Sequence, residues 1–152
     1  MNMQGGNAGG NVMPTMAEQP PVSRSARWLG RGLSGLAILF LLFDGAIKLV
    51  PWPVVTETMD RIGYGSSETL ARTLGVITVA CTVLYAIPPT SILGAILLTG
   101  YLDGAIASHL RIGSPLLTHT LFGLYLGLML WAGLYLRDGN LRGMIPFRRQ
   151  AN

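Results

Sequence analysis

The sequence predicts an all-α integral membrane protein, a bundle of four transmembrane helices. Half of its 152 residues are hydrophobic and 12% are charged, which is about half the charged fraction of an ordinary soluble domain. Four long apolar segments follow one another, separated by proline, glycine and polar residues. Because so apolar a chain would expose large sticky surfaces in water, lipid is its expected solvent.

The length allows one domain with a tail at each end. Residues 1–26 are rich in Gly, Asn, Pro and Met without hydrophobic periodicity, and we expect them to form a disordered cytoplasmic tail. Residues 27–145 carry the transmembrane domain, and residues 146–152 form a basic cytoplasmic tail. The four helices are predicted at about residues 31–50, 68–87, 91–110 and 115–136.

Local signals set the predicted ends of these helices. Pro51-Trp52-Pro53 stops the first helix, and Ser66-Ser67 before Glu68 begins the second. Ser114 is a natural N-cap and Pro115 fits the first turn of the fourth helix. That helix has no formally charged residue before Arg137, and its predicted length of roughly 31 Å is enough to cross a hydrocarbon core.

The first apolar segment has an alternative interpretation as a cleaved signal peptide, because three arginines precede a short apolar run. No small-x-small cleavage site follows it, and Asp44 and Lys48 continue a helical pattern. An even number of spans places both termini on one side, and the positive-inside rule makes that side the cytoplasm of a bacterial inner membrane. The loop with Glu57, Asp60 and Arg61 is then external. The arginines that decide the orientation are Arg24, Arg27, Arg31, Arg137, Arg142, Arg148 and Arg149. They form no single stripe, so nucleic acid is not an expected partner.

Ionisable residues inside the membrane mark the candidate site. Asp44 and Lys48 each oppose insertion by up to about 3 kcal/mol, and their i, i+4 spacing allows an ion pair on one helix face. Asp103 carries a similar insertion cost, so we expect both acids, Asp44 and Asp103, to face the interior of the bundle. When the four predicted helices alternate in direction, seven ionisable residues fall in the outer leaflet: Asp44, Lys48, Arg72, Asp103, His109, Arg111 and His119. This arrangement predicts one polar pocket that is open to the external side.

An internal salt-bridge network that fixes the helix order is the alternative explanation for these residues. In it Asp44 would pair with Lys48, and Asp103 with Arg72 or Arg111. Small residues at Gly100-xxx-Gly104, continued to Ser108, and at Gly123-xxx-Gly127 predict close helix packing. The lone cysteine, Cys81, excludes an intramolecular disulfide and is interpreted as a packing residue.

Several stretches of the chain form a characteristic combination: Phe43 to Leu49, Gly100-Tyr101 through Gly104-Ala105, His109 to Arg111, Gly113, Pro115, Leu130-Trp131 and Gly133 to Arg137. On these stretches, the chain from about residue 33 to residue 146 resembles the DoxX-like family of small four-helix bacterial membrane proteins. The resemblance implies a four-helix inner-membrane fold. The family's namesakes are linked to quinone-coupled sulfur oxidation and to terminal oxidase complexes, and the resemblance supplies no catalytic residue. Asp103 stands where many relatives are expected to have a small residue.

Three functions remain open at this stage. The leading hypothesis is an accessory, redox-associated membrane subunit whose pocket contacts a quinone head group or a partner protein of a redox complex. A proton or small-molecule transporter would use Asp44 and Asp103 as proton carriers, although the inner half of the bundle offers no polar path. A purely structural or assembly protein, including a homo-oligomer, is the third. His109 and His119 also raise bis-histidine haem ligation, while the sequence has no metal-site or nucleophile motif.

Overall fold

The computed structural model of the protein describes residues 23–50, 52–115, 117, 121–139 and 141. Within these residues the chain is helical and contains no strand, which confirms the predicted all-α class. A short 3-10 turn over Pro88–Thr90 joins the third helix to the fourth. The helices are α1 (Arg24–Leu49), α2 (Pro53–Arg61), α3 (Glu68–Ala86), α4 (Ser91–Arg111) and α5 (Phe122–Arg137).

Three of the described helices, α1, α3 and α4, are long and apolar enough to cross a membrane. The apolar helix α5 has 16 residues and therefore reaches roughly 24 Å, less than a full hydrocarbon core. Large apolar side chains such as Leu39, Val76 and Leu128 are exposed on the outside of the bundle. Lipid is the solvent that such a surface requires, so the fold is that of an integral membrane bundle.

The first helix begins earlier than the sequence predicts. The Ser23 side chain accepts a hydrogen bond from the backbone N–H of Ala26 at 3.2 Å and caps α1. Residues 24–26, predicted to belong to the tail, are therefore helical. The rest of that predicted tail, like the predicted tail over 146–152, lies outside the described residues.

Residues 53–61, predicted to be a loop, form the helix α2. Pro53 occupies its first turn, where the missing proline N–H costs nothing. Val55 and Met59, one turn apart, are buried against Ala71 of α3. This apolar spacing is helical, and burial of its two side chains stabilises α2 on the bundle.

The four long helices alternate in direction. α1 lies beside α3 and α5, and α4 lies beside the same two helices, so α1 and α4 face each other diagonally. We call the end with the Pro88–Thr90 turn, where Gly30 of α1 meets Gly133 of α5, the hairpin end. The opposite end carries α2, and we call it the α2 end.

Close helix packing occurs at glycines, but mostly not at those of the predicted motifs. A Cβ on Gly94 would lie 2.2 Å from the backbone nitrogen of Tyr85, and one on Gly75 would lie 2.9 Å from the Gly45 carbonyl oxygen. A Cβ on Gly123 would similarly meet Ile106 of α4. By contrast, a Cβ on Gly100, Gly104 or Gly127 would meet no atom of the described residues within 4 Å. The prediction that these last three glycines bring helices together is therefore wrong.

Tyr85 ties three helices together at the hairpin end. Its side chain is fully buried, and its hydroxyl donates to the Leu130 carbonyl at 2.8 Å. Because that donation uses the only hydroxyl proton, Ser34 must donate to the Tyr85 oxygen, 2.9 Å away. The Arg137 guanidinium lies 5.0 Å from the Tyr85 ring centroid and donates to the Tyr85 carbonyl. α1, α3 and α5 are thus joined through one side chain.

A Tyr85→Phe variant should unfold more easily, because it removes both hydroxyl hydrogen bonds and leaves the buried Ser34 hydroxyl without its acceptor. The expected loss is about 1–2 kcal/mol. Thermal unfolding of purified protein in mild detergent measures it. Tyr125→Phe is the matched control, since Tyr125 is exposed; equal melting of the two variants would contradict the assigned role of Tyr85.

Candidate functional site

A cavity of about 510 Å³ lies at the α2 end of the bundle. α1 and α4 supply most of its walls, α2 covers it, and the start of α5 closes one side. Leu41, Leu102 and Leu126 belong to its apolar lining, whereas Asp44, Lys48, Tyr64, Ser108 and His109 are among its polar lining residues. A cavity of this size, mostly apolar and with a few polar groups, is the usual form of a small-molecule site.

The ion pair of Asp44 and Lys48 lies in the wall formed by α1. Lys48 Nζ donates to Asp44 Oδ2 across one helical turn, as the i, i+4 spacing predicts. The side chains retain 18% and 26% exposure, Lys48 and Asp44 respectively, and Lys48 Nζ is 6.0 Å from the Tyr101 ring centroid. An ammonium has three N–H donors, so Lys48 can serve the carboxylate and a ligand together.

His109 is held by the C-terminal motif of α4. Gly113 has φ +65°, and the N–H groups of Gly113 and Ser114 donate to the carbonyls of Leu110 and His109. This is a Schellman motif, in which the left-handed glycine ends the helix. The Ser114 hydroxyl then lies 3.1 Å from His109 Nδ1. The motif therefore fixes the imidazole at the cavity wall.

A second Schellman motif ends α2, the helix that covers the cavity. Gly63 has φ +83°, and the N–H groups of Gly63 and Tyr64 donate to the carbonyls of Asp60 and Met59. The turn directs Tyr64 toward α4, where the two hydroxyls of Tyr64 and Ser108 are 2.9 Å apart.

We call α2 and the turn that follows it, residues 53–64, the roof of the cavity. Two interactions connect this roof to α4. The Ser108 hydroxyl donates to the Gly104 carbonyl at 2.8 Å, so Tyr64 must donate to Ser108. Arg111 donates to the Ile62 carbonyl at the end of α2, where helix carbonyls lack intrahelical partners. α2 is thus bonded to α4 at both the Ser108 and the Arg111 positions.

The sequence profile of the DoxX-like family matches residues 32–133, well over half of the chain. The chain belongs to the DoxX-like family. No curated protein and no solved structure matches it. The described lining residues of the cavity run from Phe40 to Leu126. All of them fall within residues 32–133, so the cavity of this DoxX-like protein is formed by the stretch that matches the family.

Of the seven residues that the sequence analysis selected, three line the cavity of this DoxX-like protein: Asp44, Lys48 and His109. Arg72 is exposed and pairs with Glu68 at 3.1 Å instead. Arg111 is exposed and holds the roof rather than the lining. His119 lies outside the described residues.

Asp103 is exposed on α4 instead of turning into the bundle, which corrects the expectation for this acid. The helix buries Leu98 and Leu102, and Asp103 lies about 140° around the helix from Leu98. Neither Arg72 nor Arg111 pairs with it within the described part of the chain. Among the described residues of the DoxX-like protein, the Asp103 ion pairs of the salt-bridge alternative are therefore not formed, whereas its Asp44–Lys48 pair is.

The fourth helix also differs from its prediction. Ser114 and Pro115 are not helical, and α5 begins at Phe122. Ser114 completes the end of α4 through its bonds to His109.

Several lining residues were missed from the sequence, among them Tyr64, Tyr101 and Ser108. Tyrosine and serine carry no charge, so insertion energetics did not single them out. The apolar i, i+4 pair Val55 and Met59 was a usable signal for the roof helix. Nothing in the sequence alone connects Tyr64 to Ser108, because that contact depends on how α2 ends.

Proposed function

We propose that this DoxX-like protein is an accessory subunit of membrane redox chemistry that binds the head group of a quinone-like molecule in its cavity. The supporting observation is a mainly apolar cavity with hydrogen-bond donors at its wall. Lys48 is the strongest of these donors, because a charged N–H donor forms shorter and stronger hydrogen bonds than a neutral one. It would donate to a quinone carbonyl while Tyr101 offers its ring as a flat surface.

In this role the chain binds and orients the quinone, and partner subunits of a membrane redox complex supply the electrons. His109 would contribute a second polar contact, on the wall opposite α1. The apolar lining would exclude water from the head group and so strengthen each hydrogen bond. No catalytic residue is assigned to the chain.

The cavity would face the external side of a bacterial inner membrane. Arg24, Arg27 and Arg31 lie in the first turns of α1 at the hairpin end, and Arg137 ends α5 there. The positive-inside rule favours the cytoplasm for an end so rich in arginine. The α2 end, and with it the cavity, would then lie in the outer leaflet.

A proton transporter has less support. It needs a polar path from the cavity to the hairpin end, and there the described core is closed by fully buried side chains such as Tyr85, Leu98 and Leu130. Proton flux into liposomes that stops in an Asp44→Asn variant would reverse this preference.

The test is quinone binding to the full-length protein in mild detergent, before and after removal of the cavity's ion pair. An Asp44→Asn/Lys48→Met variant removes both charges together, so no unpaired charge remains, and it should bind the quinone at least about tenfold more weakly. A Glu68→Gln/Arg72→Gln variant removes the other i, i+4 pair, which lies outside the described lining, and should bind normally. Equal affinity in all three proteins, or no binding by the unmodified chain, would overturn the proposal.

A further inference from the structure

The cavity changes in polarity along the bundle axis. Lys48 and His109 lie near its α2 end, whereas Leu41 and Leu102 lie deeper. Seven residues separate Leu41 from Lys48 along α1 and Leu102 from His109 along α4, a rise of about 10 Å in each helix. One end of the space therefore suits a polar head, and the other suits a hydrocarbon chain.

Two glycines form the edge of this cavity on α4. Gly100 and Gly104 line the cavity and are also exposed. At about 100° per residue, they lie between the exposed face of α4, which carries Asp103 and Ala107, and the face that lines the cavity. A Cβ at either glycine would meet no atom of the described residues within 4 Å. No described side chain therefore packs against the backbone of α4 at this edge of the cavity.

The depth of this edge matters for what can pass it. α4 ends at Arg111, so Gly104 and Gly100 lie roughly 10 and 16 Å below that end. With α4 spanning a bilayer whose hydrocarbon core is about 30 Å thick and Arg111 at its edge, both positions would lie within the hydrocarbon. An opening beside the glycines would then face acyl chains, and a molecule leaving through it would remain in lipid.

From this geometry we infer that the cavity takes a membrane-dissolved amphiphile, with its head at the Lys48 end and its apolar tail passing into the bilayer beside Gly100 and Gly104. This inference rests on the proposed function and narrows its substrate class from any quinone-like ring to one that carries a long tail. A compact polar solute would fill only the polar end and would leave the deep, apolar half of the cavity and the edge beside the glycines unoccupied. The two glycines act as specificity-determining positions, because any larger side chain there would stand in the path of the tail.

The test compares two probes on the full-length protein in lipid nanodiscs: a decyl-substituted benzoquinone, and the same ring with a methyl group in place of the decyl chain. Gly104→Leu should weaken binding of the decyl probe about tenfold, because the new side chain occupies the path of the tail. It should change binding of the methyl probe by less than about twofold, a difference of a few tenths of a kilocalorie. Gly127→Leu is the control, since Gly127 is equally free of neighbours but does not line the cavity. It should leave both probes unaffected.

The outcomes distinguish the path inferred for the tail from the proposed binding of a quinone. If Gly104→Leu weakens both probes alike, the leucine merely fills the head-group space and the tail path is wrong, while quinone binding stands. If it weakens neither probe, the tail leaves elsewhere and the inference falls. If the unmodified protein binds neither probe, the proposed function itself fails. Gly100→Leu provides an independent repeat one turn deeper along the same edge.

Discussion

A Gly94→Ala protein should fail to assemble a stable bundle. The new Cβ would lie 2.2 Å from the backbone nitrogen and 2.5 Å from the Cα of Tyr85, and 2.8 Å from the Leu84 carbonyl carbon. These are backbone atoms, so no side chain can rotate away to relieve the clash. α3 and α4 are joined by a short turn just beyond this contact, and separating them would also pull Tyr85 from its bonds to α1 and α5. We expect a loss of more than about 3 kcal/mol.

The measurement is the yield of monodisperse protein after extraction in mild detergent, followed by thermal unfolding of what is recovered. Gly35→Ala and Gly127→Ala are matched controls, because a Cβ at either position meets nothing within 4 Å in the part of the chain that the structure describes. Each control should be as stable as the unmodified chain or more so, by up to about 1 kcal/mol, from the better helix propensity of alanine. A Gly94→Ala protein that melts with the controls would contradict the packing described for α3 and α4.

A Lys48→Met protein should be less stable by about 2–3 kcal/mol, the cost of an acid left unpaired inside a membrane helix. Asp44 would lose its ion-pair partner while remaining in a mostly apolar wall. Adding Asp44→Asn to the same protein removes the stranded charge and should restore most of the stability. Denaturant or thermal unfolding of the single and double variants measures this recovery.

This pair of variants also separates two roles of the ion pair. If the double variant is stable but does not bind quinone, the charges serve the ligand. If the double variant is as unstable as Lys48→Met, the pair is needed to hold α1 in place, and the binding role assigned to Lys48 loses its support. The exposed pair of Glu68 and Arg72 should respond to the same treatment by less than about 1 kcal/mol.

Much of the fold could be predicted from composition and local signals. The apolar segments identified α1, α3 and α4, and Ser67 caps α3 as its position before Glu68 predicts. The contacts of Ser114 with the end of α4 could not be predicted in this way. Ser114 satisfies the sequence rule for an N-cap, but its backbone N–H and hydroxyl also bond to His109, and that arrangement is set by the left-handed turn at Gly113.

The site was predictable in part for a similar reason. The spacing of Asp44 and Lys48 predicts their pairing, because i, i+4 contacts are local to one helix. The direction of Asp103 depends on which face of α4 its neighbours cover, and that is a property of the whole bundle. Gly100 and Gly104 show the same limit, since small residues at this spacing expose a helix backbone without saying whether a helix or a cavity lies against it.

The two ends of the bundle differ in how well they tolerate substitution. At the hairpin end, Tyr85, Gly94 and Gly133 leave almost no substitution free of consequence, because each touches the backbone or the buried hydroxyls of a neighbouring helix. Around the cavity, several side chains border empty space, so replacements other than at the Asp44–Lys48 pair and the tightly packed Gly123 disturb fewer contacts. What the cavity holds could therefore change at the α2 end with less cost to folding than a change at the hairpin end.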